Sequence, residues 1–254
     1  MLLNAVIFVL REVLEASLIL SVFLALSQLM YLSKAWCVYA VLVGAVGALL
    51  YAINLPIVSQ LFDGIGQEII NICLYTLIFV CIVIFIAAIK NTRYEGLIKG
   101  VMASCLALAI VNEGSEIIIY IDGFMGIPEL FTSALVGGAI GAGIGTSIGV
   151  FIYYLIVNLS NKKGVSLGLL ILVLFSGGMV TQATQLLLQA DLISSQLPLW
   201  DTSPWVSEHS LFGGILFALM GYEASPTPIQ VGVYITSITL TSWLAISSIK
   251  TFQK

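Results

Sequence analysis

The sequence predicts an all-α, polytopic membrane protein, and three observations lead to this fold class: its composition, its long apolar runs and the placement of its charges. Of its 254 residues, 60% are hydrophobic and only 9% are charged, and the mean hydropathy is +1.12. A soluble domain carries about 25% charged residues. Apolar runs cover nearly the whole length, so we expect one transmembrane domain over 1–254.

Seven apolar stretches are long enough to cross a bilayer, for which about 20 residues suffice. The connection between the sixth and seventh stretches, residues 191–229, is named the outer segment. Within it, Leu211–Met220 is too short to span and predicts a re-entrant or interfacial helix over the outer mouth. The seven predicted spans are residues 3–30, 35–56, 68–89, 98–121, 130–158, 165–190 and 229–249.

Basic residues fall on alternate connections between these spans. The positive-inside rule makes those connections cytoplasmic, which puts the N-terminus outside and the C-terminus inside. An odd number of spans agrees with this orientation. The residues concerned, eight of the nine Lys and Arg, are Lys34, Lys90, Arg93, Lys99, Lys162, Lys163, Lys250 and Lys254.

Eight of the thirteen acidic residues fall at or near the opposite, outer face. Two interpretations stay open: the acids simply avoid the cytoplasmic loops, or they form a vestibule that concentrates cations. The candidates for cation collection are Asp122, Glu129, Asp201 and Glu208.

Two stretches place ionisable side chains inside apolar runs. The first is Arg11-Glu12-Val13-Leu14-Glu15 and the second is Asn112-Glu113-Gly114-Ser115-Glu116. Charges within a membrane span are costly, so they face a partner, a water-filled path or a substrate. Residues three or four apart share one helix face, so each stretch presents two carboxylates to one side, and Arg11 can pair with Glu15.

The two stretches are offset by about a hundred residues, with three spans from one to the next. Because three is odd, the second copy enters the membrane from the opposite side. This predicts two inverted three-helix repeats, over about 1–92 and 98–192, followed by the outer segment and a C-terminal helix within about 193–254. Four glycines at four-residue spacing in the fifth span predict close packing between the repeats, or else a hinge or sliding surface: Gly137, Gly141, Gly145 and Gly149.

Four carboxylates facing each other with one guanidinium carry a formal charge of −3. Like-charged carboxylates favour protonation until a cation neutralises them, and an all-oxygen anionic site suits a hard cation. Fe³⁺ balances this charge outright, and Fe²⁺ does so with one proton retained. The alternative is that the glutamates are interhelical ion pairs or proton-relay groups that never touch a metal.

The stretch Arg11–Glu15 resembles the Arg-Glu-x-x-Glu motif of the high-affinity iron permease family, which includes the oxidase-linked iron transporters of fungi and the EfeU-type permeases of bacteria. That family places the motif in its first and fourth helices, where both copies stand in this chain. Three stretches of the outer segment are similar to the bacterial branch: Leu199–Ser203, Ser207–Ser210 and Gly221–Pro226.

The resemblance implies iron uptake across the cytoplasmic membrane, with the motif glutamates as iron ligands and with Arg11, Asn112 and Ser115 beside them. Asn112 departs from the family, which has arginine at this position of the second motif. Its amide can donate a hydrogen bond to Glu116 or offer a neutral oxygen to the ion. The implied ligands are Glu12, Glu15, Glu113 and Glu116.

Iron is then a transported substrate, and no permanently bound cofactor is expected. The expected partners are iron ions, the lipid bilayer and an oxidase or periplasmic iron-binding or peroxidase-like protein, with no nucleic acid. Two other functions stay open: a carrier of the same architecture for lead or manganese, and a proton-coupled solute transporter. An intramembrane enzyme is not expected, because the only histidine, His209, lies in the outer segment.

Overall fold

The computed structural model describes residues 1–90, 94–208 and 210–252, and these residues form an all-α protein. Helical backbone satisfies its own polar groups, which is what an apolar chain in lipid requires. The helices are α1 (Leu2–Leu29), α2 (Ala35–Val58), α3 (Gly66–Ala88), α4 (Glu95–Asp122), α5 (Pro128–Val157), α6 (Asn161–Gln189), α7 (Leu211–Met220) and α8 (Pro228–Phe252).

Each predicted span coincides with one helix, and the largest difference at an end is at α6, which begins at Asn161 rather than near 165. Six helices, α2 to α6 and α8, are long and apolar enough to cross a membrane, which is consistent with a multi-pass membrane protein. The remaining long helix, α1, has 28 residues and carries Arg11, Glu12 and Glu15. The predicted all-α class is confirmed.

The predicted short helix in the outer segment is α7, and its two ends follow from local sequence. The Ser210 hydroxyl accepts a hydrogen bond from the backbone N–H of Gly213 (3.0 Å), which satisfies one of the free donors of the first turn. Gly221 ends the helix with φ of 67°, a left-handed conformation that glycine adopts without steric cost. The helix has only ten residues, too few to span.

Four helices form a ring in the order α1, α4, α3 and α6, each contacting the next. The other long helices pack outside this ring: α5 lies against α1, α2 against α4, and α8 against α6 and α3. Ser248 of α8 donates a hydrogen bond to the backbone oxygen of Ile86 in α3 (2.7 Å). The ring is the frame in which all the motif glutamates lie.

The four glycines spaced four residues apart in α5, named the glycine ladder (Gly137, Gly141, Gly145 and Gly149), pack against α1. A Cβ added at Gly141 would lie 2.5 Å from the backbone oxygen of Val6 and 2.8 Å from the backbone nitrogen of Leu10. Small residues of this kind let two helices approach closely in a membrane. Gly44 of α2 approaches α4 in the same way, because a Cβ there would lie 2.7 Å from that of Ile110.

One half of the ring is filled by apolar side chains. Phe23, Phe85 and Phe175 come from α1, α3 and α6 and are almost wholly buried, and the rings of Phe23 and Phe85 lie 4.9 Å apart. These apolar side chains form a layer, named the apolar layer. In the sequence, its residues come after the motif in α1 and before the motif in α4. The layer therefore closes the ring on the side of the basic connections.

The basic connections are partly visible in the contacts of their side chains. Lys34, which precedes α2, donates a hydrogen bond to the hydroxyl of Tyr153 near the end of α5 (3.4 Å), and Lys99 pairs with Glu95. The ends of α1 and α5 thus lie at one face, as predicted. Arg93, His209 and Lys254 lie outside the described residues, as does the side chain of Lys250.

Candidate metal site

Helices α1 and α4 bring three carboxylates of the two motifs together. One oxygen from each of Glu12, Glu113 and Glu116 lies within 4.8 Å of the others. Two ligands on opposite sides of a hard cation, each at about 2.1–2.4 Å, are about 4.2–4.8 Å apart. The spacing therefore matches a set of oxygens around one ion, and the structure brings together three of the four predicted ligands.

Arg11 pairs with its neighbour Glu12 and not, as predicted, with Glu15. Its Nη2 and Nε donate to Oε1 of Glu12 at 2.6 and 2.9 Å. The guanidinium carbon lies 5.7 Å from the ring centre of Phe8 and 5.0 Å from that of Phe217 in α7. These two rings attract the cation and fix the arginine at this end of the motif, which physically explains the difference.

Asn112 repeats this arrangement with an amide. Its Nδ2 donates to Oε1 of Glu113 (3.1 Å), so the predicted hydrogen bond to Glu116 is replaced by one to the adjacent glutamate. Asn112 is 0% exposed and Glu113 is 2% exposed. Among the described residues, Oδ1 of Asn112 and Oε2 of Glu113 are buried oxygens that have no hydrogen-bond partner.

The second glutamate of each motif accepts a hydrogen bond from another helix of the ring. Gln182 of α6 donates to Oε2 of Glu15 (3.1 Å), and Asn71 of α3 donates to Oε1 of Glu116 (3.5 Å). Glu15 is not among the three carboxylates that meet within 4.8 Å, although it is as buried as Glu12 and Glu113. In both motifs the first glutamate bonds to the preceding residue and the second to an amide from a neighbouring helix.

Sequence reasoning did not identify Asn71 and Tyr51 as parts of the site. Tyr51 of α2 donates to the side-chain oxygen of Asn71 (2.8 Å), which orients the amide that donates to Glu116. A signal was present, because Asn71 is a polar residue inside the strongly apolar run of α3. Gln182 is one of several polar residues of α6, and this sequence pattern is compatible both with an ion path and with contacts that join helices.

A cleft of about 400 Å³ leads to Glu116 from the end of the ring opposite the apolar layer. Phe8 of α1 and Tyr120 of α4 stack across its wall with ring centres 4.4 Å apart. The cleft gives an ion a route to one of the three carboxylates. Its lining residues are Phe8, Gln67, Glu68, Asn71, Glu116, Ile119, Tyr120, Leu186 and Gln189.

The other predicted site residues lie away from the three carboxylates. Ser115 is buried, and its hydroxyl donates to the backbone oxygen of Asn112 (2.8 Å). Asp122, the last residue of α4, and Glu129, in the first turn of α5, are both exposed. Asp201 is also exposed, and its pKa is lowered by hydrogen bonds from Ser203. Glu208 accepts a hydrogen bond from the backbone of Ala224, so it joins two parts of the outer segment.

The outer segment contains a half-buried carboxyl group, Glu223, beside a largely apolar cavity of about 370 Å³ that Trp200 also lines. Burial raises the pKa of Glu223 above its ordinary value, against a hydrogen bond from Gln230 (2.5 Å) that lowers it, and the charge of Glu208 raises it further. The folded segment thus favours the neutral form of this carboxyl group.

We expect this carboxyl group to make the packing of the outer segment dependent on pH. Folding raises the pKa of Glu223. Its contribution to the stability of the folded segment is therefore fully present below the ordinary glutamate pKa and is lost as the pH rises through the raised value. In a variant whose other three tryptophans are replaced by Phe, we expect the fluorescence of Trp200, which is 47% exposed in the folded segment, to shift further toward that of a solvated indole as the pH rises. Glu223→Gln should abolish this shift, and an unchanged shift in that variant would contradict the assignment.

No protein-family model, curated protein or solved structure matches this chain.

Proposed function

We propose that the chain is a permease that moves iron inward across the cytoplasmic membrane and holds the ion at Glu12, Glu113 and Glu116. The observation that carries the proposal is the convergence of three carboxylate oxygens within 4.8 Å, inside an apolar helix ring and at the end of an open cleft. Buried carboxylates need a counter-charge, and the Arg-Glu-x-x-Glu resemblance of Arg11–Glu15 favours iron as that cation.

In this proposal α1 also crosses the membrane, which brings the number of spans to seven. The N-terminus then lies outside and the C-terminus inside. The contacts between helices support two inverted repeats, α1 to α3 and α4 to α6. Exchanging the repeats turns the α1–α5 contact into α4–α2 and the α1–α6 contact into α4–α3, and all four contacts are present. The two motif hydrogen bonds from Gln182 and Asn71 exchange in the same way.

The route of the ion follows from this orientation. Iron delivered by an oxidase or a periplasmic iron-binding protein reaches the acidic outer face, enters the cleft beside Glu68 and loses water as it passes to Glu116. Release on the inside requires the apolar layer of Phe23, Phe85 and Phe175 to open. Rocking of one repeat against the other is the movement that inverted repeats commonly provide.

The test is uptake of radioactive iron into proteoliposomes that contain the purified full chain, with Fe²⁺ and Fe³⁺ supplied separately. We expect uptake of at least one form, above that of protein-free liposomes. Preferential inhibition by Mn²⁺ or Pb²⁺ would favour the carrier of another metal. A proton gradient that drives organic solute uptake without any metal dependence would overturn the proposal.

A substitution at Glu15 tests which of the four glutamates bind the ion in the resting protein. Because Glu15 bonds to Gln182 and is not one of the three converging carboxylates, we expect Glu15→Gln to keep equilibrium binding of Mn²⁺ to the detergent-solubilised protein within about threefold. Glu12→Gln should weaken the same binding at least about tenfold, since it removes a charged ligand. Equal losses in the two variants would show that Glu15 belongs to the resting binding site.

A further inference from the structure

We infer that Asn112 is itself a ligand of the transported cation, through its side-chain oxygen, and that this neutral ligand makes the site selective for divalent over trivalent cations. The inference rests on the proposed function, because it concerns the ion held by Glu12, Glu113 and Glu116. It names one further ligand and the charge class of the substrate.

The first observation is the unequal use of the two ends of the Asn112 amide. Its Nδ2 donates to Oε1 of Glu113 at 3.1 Å, while its Oδ1 is fully buried and has no partner in the part of the chain that the structure describes. A buried carbonyl oxygen without a hydrogen bond costs about 1–3 kcal/mol. Such a group in a folded protein points to a role that uses it.

The second observation is that Glu113 also has a free oxygen. Its Oε1 accepts the hydrogen bond from Asn112, and its Oε2 is buried without a partner. Two adjacent side chains therefore hold unpaired oxygens at the three-carboxylate cluster. Carboxylate and amide oxygens are the ligands that hard cations take. One cation bound at the cluster would give both oxygens a partner.

Asn71 shows what a purely orienting asparagine looks like at this site. Its Nδ2 donates to Glu116 at 3.5 Å, and its Oδ1 accepts a hydrogen bond from the hydroxyl of Tyr51 at 2.8 Å. Both ends of its amide are thus in use. Both asparagines are buried and donate to a motif glutamate, but among the described residues only Asn112 keeps an oxygen without a hydrogen bond, so the two residues can be compared.

The charge of the site follows from which groups converge. Glu12, Glu113 and Glu116 contribute −3 when ionised, and Arg11, bonded to Glu12 at 2.6 Å, returns the sum to −2. Glu15, whose carboxylate accepts a hydrogen bond from Gln182, is not counted because it is not one of the three converging carboxylates. A divalent cation neutralises the charge of −2 on the converging groups, and a trivalent cation exceeds it by one charge. The neutral Asn112 adds a ligand without changing this balance.

The experiment measures equilibrium binding of two redox-inert ions to the purified full chain in detergent. Mn²⁺ is followed by its electron paramagnetic resonance signal, and Ga³⁺, supplied as its nitrilotriacetate complex, by calorimetric competition. The variants are Asn112→Ala, Asn112→Asp and Asn71→Ala. Asn54→Ala is the control, because Asn54 is exposed on α2 and its amide bonds only to the backbone of Leu50.

We expect Asn112→Ala to weaken Mn²⁺ binding at least about tenfold, which is the scale of loss when a residue around a metal is replaced. Asn71→Ala should weaken it about threefold, because Asn71 only orients a ligand. Asn112→Asp should raise the affinity for Ga³⁺ relative to Mn²⁺ at least about tenfold, because a new carboxylate attracts the higher charge more strongly. Asn54→Ala should bind both ions as the unsubstituted chain does.

Equal losses in Asn112→Ala and Asn71→Ala, or an unchanged Ga³⁺ to Mn²⁺ ratio in Asn112→Asp, would overturn the inference. Iron transport by the unsubstituted chain would then still stand, so the proposed function survives that result. Absence of binding and of transport in the unsubstituted chain would overturn both. Tighter binding of Ga³⁺ than of Mn²⁺ by the unsubstituted chain would refute the selectivity alone.

Discussion

Replacing Glu113 with Gln is expected to lower iron uptake into proteoliposomes at least about 100-fold. The substitution keeps the size of the side chain but removes the negative charge of a residue that is 2% exposed and clusters with Glu12 and Glu116. We expect the loss to exceed the 10- to 100-fold range that follows removal of a residue that only supports a metal ligand, because Glu113 is one of the proposed ligands. Initial uptake rates at several iron concentrations measure the effect.

Glu129→Gln is the matched control, since it removes the same charge from an exposed position at the start of α5. We expect it to retain uptake within about twofold, with both variants present in the membrane in equal amounts. Glu113→Gln with normal uptake and normal protein amount would show that the ion does not pass this cluster. Loss of uptake in both variants would show that the overall negative charge of the protein, and not this cluster, supports uptake.

Gly141→Val is expected to prevent stable assembly of α1 against α5. A Cβ at this position would lie 2.5 Å from the oxygen of Val6 and 2.8 Å from the nitrogen of Leu10. Those atoms belong to the backbone of α1 and cannot turn away as a side chain can. Overpacking commonly costs about 1–3 kcal/mol, and separation of the helices would add the loss of their contact. A thermal melt in detergent should show a much lower midpoint.

Gly143→Val tests whether this effect comes from the contact and not from the loss of a helical glycine. Gly143 lies in the same helix, and an added Cβ there meets nothing within 4 Å. We expect the midpoint of this variant to match that of the unsubstituted chain or to exceed it slightly, because glycine is a poor helix former in water-based scales. Equal destabilisation at both positions would contradict the packing role of the ladder.

The helices were predictable because an apolar chain has few alternatives. In lipid the backbone must satisfy its own hydrogen bonds, so each long apolar run becomes a helix with ends near the first polar residues. The short run Leu211–Met220 was equally plain, since Ser210 and Gly221 mark its ends. The number of helices that cross the membrane was harder to predict. Among the described residues, six helices are long and apolar enough to span, and α1, which carries the charges of the site, is not one of them.

The motif positions were predictable, but their partners were not. Helical spacing places Glu12 with Glu15 and Glu113 with Glu116, yet it gives no rotation of α1 relative to α4. That rotation decides that Glu15 lies toward Gln182 while Glu12 joins the cluster. The pairing of Arg11 depends on Phe217, more than two hundred residues away in sequence. Such contacts are set by packing between helices.

The apolar layer has a consequence for how a membrane potential acts on this protein. The cleft is open as far as Glu116, whereas the buried side chains of Phe23, Phe85 and Phe175 close the ring beyond the site. The voltage drop therefore falls mainly across the layer, and an ion at the glutamates has crossed little of the field. Each elementary charge gains about 2.3 kcal/mol per 100 mV over the full drop. In the proposed orientation, an inside-negative potential thus drives the release of the cation more than its capture.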